Sequence, residues 1–267
     1  MPASLSNLTM TEQEYRQHPA ISNSDLTLIN KSVEHYQYNK LNPKAPTPAM
    51  KFGTAFHCYV LEPQKFKKTY VTLPAGIKPG SSNAYKDFKA AVESSGQEII
   101  ADDDLEAIRI MADKVSKLKL LTGGKAETPY FGKIRAAETD IDVKCRPDYI
   151  TESRIFDLKS TTSADAEDFD SSIRNYRYYV QAAFYLEICR QHNPLIESFV
   201  FIAVESSAPY GIACYELDAG YLAAGKIQFI KDLEKYIYDT RTNRTGYATG
   251  VNIIQPPDWF MRHYTQK

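Results

Sequence analysis

Apolar residues recur along this chain first at helical spacing and then at strand spacing, and the change of period divides it. Leu26, Leu28 and Ile29, preceded by Ser22-Asn23-Ser24-Asp25, predict a helix capped by Ser22 or Asn23. The polar segment before it, residues 1–20, is expected to be flexible. A second helical run covers Val33 to Lys40 and stops at the Pro-rich loop 42–48, and an apolar helix over Met50 to Leu61 ends before Pro63. Residues 65–84 read as a basic connector punctuated by Gly and Pro, and Ala84 to Ser94 as helix. Asp102 to Leu121 reads as an amphipathic helix. Its three aspartates suit the positive end of the helix dipole, Lys114, Lys117 and Lys119 suit the other end, and Gly123-Gly124 ends it.

Period two then takes over in Glu127 to Ile134, Ile141 to Ile150 and Arg154 to Ser160, which predict an antiparallel meander with Pro147 at a strand end or bulge. Asp165 to Ser172 is polar and reads as a loop. Tyr176 to Cys189 predicts a helix with Val180, Phe184 and Ile188 on one line and Tyr178, Gln181 and Tyr185 on a neighbouring one. Ile196 to Val204 is a β-branched strand with which Gly211 to Leu217 can pair, followed by a helix over Tyr221 to Tyr238 and a tail containing Pro256-Pro257-Asp258-Trp259. The pattern predicts a mixed α/β (α+β) fold: one domain over residues 21–267, its central sheet flanked by helices.

Composition narrows the function classes. The chain has 267 residues, 43% of them hydrophobic, and a net charge of −1, so it lacks the global basic signature of a protein that coats nucleic acid. Cys58, Cys145, Cys189 and Cys214 are widely spaced and form no C-x-x-C pair, which predicts buried free thiols rather than a disulfide framework or zinc site. No apolar run approaches the length of a membrane span and no charged-then-apolar leader opens the chain; a soluble, cytoplasmic protein without membrane contact is expected.

Candidate chemistry centres on CRPDYITESRIFDLKSTT, residues 145–162. On a strand over Arg154 to Lys159, Asp157 and Lys159 share a face, roughly 7 Å apart at their Cα atoms. With Asp148 on the neighbouring strand they give two hard oxygen ligands beside an ammonium, an arrangement that suits Mg2+. D-x-K is also a common surface ion pair. Gly53 and His57 share a helix face, where a lone histidine is more often a core residue than a ligand.

Four patterns occur in one order: G-x-x-x-H at Gly53 to His57, R-P-D at Arg146 to Asp148, D-x-K at Asp157 to Lys159, and Q-x-x-x-Y at Gln181 to Tyr185. With the stretches GTAFHCYVLEPQKF, CRPDYI, DLKSTT and YRYYVQAAFY, they resemble the RecE-type exonucleases of the RecB-like branch of the PD-(D/E)XK nucleases over residues 21–260. The resemblance implies a restriction-endonuclease-like core in which Asp148 and Asp157 bind two Mg2+ ions, with Mn2+ able to substitute, and His57 completes the metal site. It further implies that Lys159 positions the attacking water and that Gln181 and Tyr185 brace the site and touch DNA. Glu127 occupies the family's acidic position on the first strand, as a metal ligand or an outward ion pair. Ser24 lies near the DNA 5′ end or caps its helix, and Arg174 and Arg177 touch phosphates or are simply solvated.

The implied activity is 5′ to 3′ digestion of one strand of linear double-stranded DNA, leaving a 3′ tail for a RecT-like annealing protein, by a homo-oligomeric ring of three or four copies. A structure-specific endonuclease of the same fold and a catalytically inactive DNA-end-binding module are the alternatives.

Overall fold

The computed structural model describes residues 10–265. Its first three helices each begin at a side-chain cap: Glu12–Gln17 (α1) at Thr11, Asn23–Lys31 (α2) at Ser22 and Val33–Leu41 (α3) at Ser32. Of the segment expected to be flexible, residues 1–9 lie outside the described residues, and α1 occupies much of the remainder through a capping box between Thr11 and Glu14. Pro48–Leu61 (α4) has proline in its first turn and ends just before Pro63, which opens Pro63–Thr69 (α5). The expected connector therefore contains a helix, followed by Tyr70–Val71 (β1). That strand pairs in parallel with Glu98–Ile99 (β2) across Asn83–Ser94 (α6). Asp102–Leu118 (α7) ends at Lys119 in the left-handed conformation, before the glycine pair.

The central strands depart from a simple meander. Lys125–Ala126 (β3), Tyr130–Ala136 (β4), Thr139–Cys145 (β5), Tyr149–Ile150 (β6) and Arg154–Thr161 (β7) follow in sequence. β4 and β5 form a separate antiparallel hairpin, whereas β3, β6 and β7 join Ser198–Glu205 (β8) and Ile212–Glu216 (β9) in a five-stranded sheet of order β3-β6-β7-β8-β9. Pro147 lacks the N–H a ladder needs, and the run around it divides into β5 and β6.

β7 and β8 pair in parallel, so a crossover must join them. It consists of Ala166–Asn175 (α8) and Tyr178–Arg190 (α9). α8 corrects the loop expected over residues 165–172: Asp165 caps it, and Phe169 and Ile173, four residues apart, bury one face. Ala219–Thr242 (α10) packs on α9, and Asp258–Thr265 (α11) follows an extended segment. No helix among the described residues is long and apolar enough to cross a membrane.

The alternation of β8 explains the layers. Phe199, Phe201 and Ala203 join one apolar cluster with α2, α9 and α10, while Val200, Ile202 and Val204 join a second with α4 and α7. On β7, Ile155 faces the first cluster and Phe156 and Leu158 the second, which leaves Asp157 and Lys159 on the α9 side. Cys58, Cys145 and Cys189 are buried free thiols as expected; Cys214, on the edge strand β9, is exposed.

Candidate active site

Asp148 stands three residues beyond the end of β5, beside the middle of β7. Its Oδ2 accepts the Leu158 N–H at 2.7 Å and lies 3.3 Å from Nδ1 of His57. His57 comes from α4, one turn after Gly53; a Cβ on Gly53 would sit 3.2 Å from Ser160 Oγ. The glycine therefore lets α4 approach β7 closely enough for His57 to reach Asp148.

Glu127 follows β3 in a left-handed conformation, with φ of 47°, and donates its N–H to the Asp148 carbonyl at 3.0 Å. This turn brings its carboxylate to the same point: one ligand atom from each of His57, Glu127 and Asp148 lies within 4.8 Å of the others. One imidazole nitrogen and two carboxylates fit a divalent cation such as Mg2+ or Mn2+. Glu127 also forms an ion pair with Nε of Arg146 at 2.9 Å, so the carboxylate that could take a metal is the one this ion pair holds.

Asp157 has a different setting. Only 2% exposed, it accepts a hydrogen bond from Nε2 of Gln181 at 2.6 Å and forms a close ion pair with Lys159. Lys159 donates to Oε1 of Gln181 at 3.1 Å and lies 4.6 Å above the ring of Tyr178. One Gln181 amide thus satisfies a carboxylate with its NH2 and an ammonium with its carbonyl, which fixes both groups in a buried setting where an unpaired charge is costly. Asp157 is not one of the three convergent groups; the acidic partner of Asp148 in that cluster is Glu127.

The charges respond to this packing. Burial pushes Glu127 up, the neighbouring Asp148 adds to the shift, and its carboxyl reaches about 7. Burial also raises Asp157, and the relief Lys159 gives does not cancel the effect. For Asp148, burial works upward but is outweighed by His57, Lys159 and the Leu158 N–H, so it stays below the ordinary carboxylate range. His57 and Lys159 are both raised: burial works against their charged forms, and the adjacent aspartates prevail.

The remaining candidates lie elsewhere. Tyr185 is one turn beyond Gln181 on α9, its ring 6.0 Å from that of Phe199, and burial holds its hydroxyl well above the usual tyrosine range. Ser24 is exposed in the first turn of α2 and contacts Ser22 Oγ at 2.9 Å; Ser22, not Ser24, is the cap. Arg174 is exposed and engaged by Asp170 and Ser171. Arg177, expected to touch phosphate or solvent, turns inward to an ion pair with Asp232 and donates to the Leu26 carbonyl at 3.3 Å, tying α9 to α10 and α2. Its side chain is committed to packing. Sequence reasoning gave no role to Arg146 or Tyr178; the R-P-D motif contained the first, and its spacing of three from Gln181 marked the second.

A family model described as a PDDEXK-like domain of unknown function (DUF3799) matches residues 22–248. A crystal structure of a candidate exonuclease from Eubacterium rectale shares the fold with a TM-score of 0.60 at 15% identity, over 97% of this chain and 99% of that one. An alkaline exonuclease from Laribacter hongkongensis gives a TM-score of 0.31 at 12% identity, over 62% of this chain and 86% of that one. No curated protein matches the chain.

Proposed function

Because the chain belongs to the PDDEXK-like domain family, we propose that it is a divalent-metal-dependent exodeoxyribonuclease that degrades one strand of linear double-stranded DNA. One observation carries the proposal: a convergent His57–Glu127–Asp148 cluster stands beside a buried Asp157–Lys159–Gln181 assembly. His57, Glu127 and Asp148 would hold the cation, with Asp157 the fourth candidate ligand. When bound, Mg2+ or Mn2+ supplies charge neutralisation at a phosphodiester and makes water more acidic.

The chain's own groups do the rest. Lys159, held by Asp157 and Gln181, orients the attacking water and offsets charge developing on the phosphate. Gln181 keeps that ammonium at a fixed position, and Tyr185 closes the same helix face one turn further on. Release of the 3′ oxygen leaves a product with a 5′ phosphate.

The resemblance to RecE-type exonucleases supports the finer proposals: 5′ to 3′ polarity, a 3′ single-stranded tail, hand-over to a RecT-like annealing protein, and a ring-shaped homo-oligomer in the cytoplasm. A ring would also explain how a chain of net charge −1 stays on its substrate, by enclosure rather than by bulk attraction.

The test is Mg2+-dependent digestion of a linear duplex labelled at either 5′ end, beside a closed-circular control, for wild type and Lys159→Ala. Consumption of linear DNA alone, early release of the 5′ label and an inactive variant are expected. Cut circles would make the protein an endonuclease; uncut DNA with Mg2+ and Mn2+ would leave an end-binding module.

A further inference from the structure

The helix α1 precedes the stretch matched by the family model, yet it walls the ligand cluster. Glu12 and Arg16 line the same cavity, of about 500 Å3, as His57, Glu127 and Asp148. Its attachment is specific. Alternation along β5 and its extension sends Lys144 and Arg146 to one side of the chain. Both cations meet the ring of Tyr15, with Nζ of Lys144 4.7 Å and Cζ of Arg146 5.0 Å from its centroid. Lys144 is 2% exposed and donates to the carbonyls of Tyr15 at 2.5 Å and His18 at 2.8 Å, satisfying acceptors at the end of α1. Ile21 then docks on β5: its N–H donates to the Asp142 carbonyl at 3.0 Å, and its carbonyl accepts from Lys144 N–H at 2.9 Å.

From the ring of Tyr15, Arg146 reaches Glu127 through Nε at 2.9 Å and approaches Glu12 at 4.0 Å. A guanidinium stacked on a ring is held in plane without using its edge N–H groups, which stay free for carboxylates. Glu127 needs such a guide because a long side chain loses rotamer freedom when it becomes a ligand; one already oriented has lost it beforehand.

We propose that Tyr15 is a positioning residue of the metal site: its ring fixes the Arg146 guanidinium, and Arg146 fixes the Glu127 carboxylate that faces His57 and Asp148. The inference rests on the metal-dependent function proposed above. It assigns α1 to the active site.

The test is calorimetric titration of the DNA-free protein with Mn2+, each variant first checked for folding by circular dichroism. Tyr15→Phe keeps the ring face and should bind as wild type does. Tyr15→Leu and Arg146→Lys should each bind about tenfold more weakly. Added to Glu127→Gln, Tyr15→Leu should weaken binding no further, because the route it disturbs is already absent. Wild-type affinity in Tyr15→Leu and Arg146→Lys overturns the inference while leaving the metal site standing. So does a Tyr15→Phe as weak as Tyr15→Leu, or a loss that persists undiminished in the Glu127→Gln background. Should Tyr15→Leu fail to fold, Arg146→Lys decides. A wild-type protein that takes up no Mn2+ overturns the metal-dependent function itself, and this inference falls with it.

Discussion

At the scale of single residues, Glu127 holds a proton below about pH 7 that a cation bound at its carboxylate would displace. Its folded carboxyl titrates near 7, against an ordinary value of 4.5, because it is buried next to Asp148. The sign follows: between these values the folded protein holds a proton that the unfolded chain has lost, so this group's contribution to stability is complete below pH 4.5 and disappears as pH rises through 7. Metal uptake works against the same proton. Glu127's contribution to the affinity for Mg2+ or Mn2+ should therefore climb with pH up to about 7 and flatten above it, with about one proton released from Glu127 per ion at pH 6. His57, raised by Asp148, adds to the release. Calorimetry in two buffers of different ionisation enthalpy counts the protons, and Glu127→Gln should release about one fewer than wild type. Equal release by the two proteins would remove Glu127 from the ligand set.

At the scale of elements, the distance between α4 and β7 decides whether His57 reaches Asp148. Gly53→Ala would put a methyl group 3.2 Å from Ser160 Oγ, close enough to push the helix or the hydroxyl by a few tenths of an ångström. Gly53→Ala should fold, because alanine favours helix, yet lose roughly tenfold in metal-dependent activity. Adding Ser160→Ala removes the obstructing oxygen and should restore most of that loss. An active Gly53→Ala protein, or no rescue by the second change, would show that the spacing is not critical.

This also marks what a sequence can convey. The period of a strand was enough to put Asp157 and Lys159 on one face, whereas the roles given to His57 and Gln181 came from the family resemblance, helix period placing only their faces. Glu127 was named only through the family resemblance, as a metal ligand or an outward ion pair, because its direction comes from a left-handed turn after a two-residue strand rather than from a strand face. α8 hid because Phe169 and Ile173 are its only buried apolar positions, and α1 hid because it buries none of its residues. The parallel pairing of β7 with β8 was not read from the sequence, although a helix between the two strands was expected.

At the scale of the whole molecule, the candidate metal site lies where two packing units meet. Ala55, Phe56 and Cys58, on either side of His57, belong to the apolar cluster under α4 and α7. Val143 and Cys145, just upstream of Asp148, belong to the cluster under α9 and α10. A cation shared by His57, Glu127 and Asp148 would join these units across the edge of the five-stranded sheet, and would do so only in the folded chain. Linkage then sets the effect: at a hundredfold excess over Kd, binding stabilises by about 2.7 kcal/mol. For a chain of this size that corresponds to a rise in Tm of roughly 5–10 °C. Scanning calorimetry of EDTA-treated protein with and without Mg2+ reads the shift, which chelation should reverse and Asp148→Asn should abolish. The variant must lose the response, not merely melt lower, because Asp148 also accepts the Leu158 N–H and its loss has a structural cost of its own. An equal Mg2+ shift in Asp148→Asn would move the cation away from this cluster, and with it the chemistry assigned to the sheet edge.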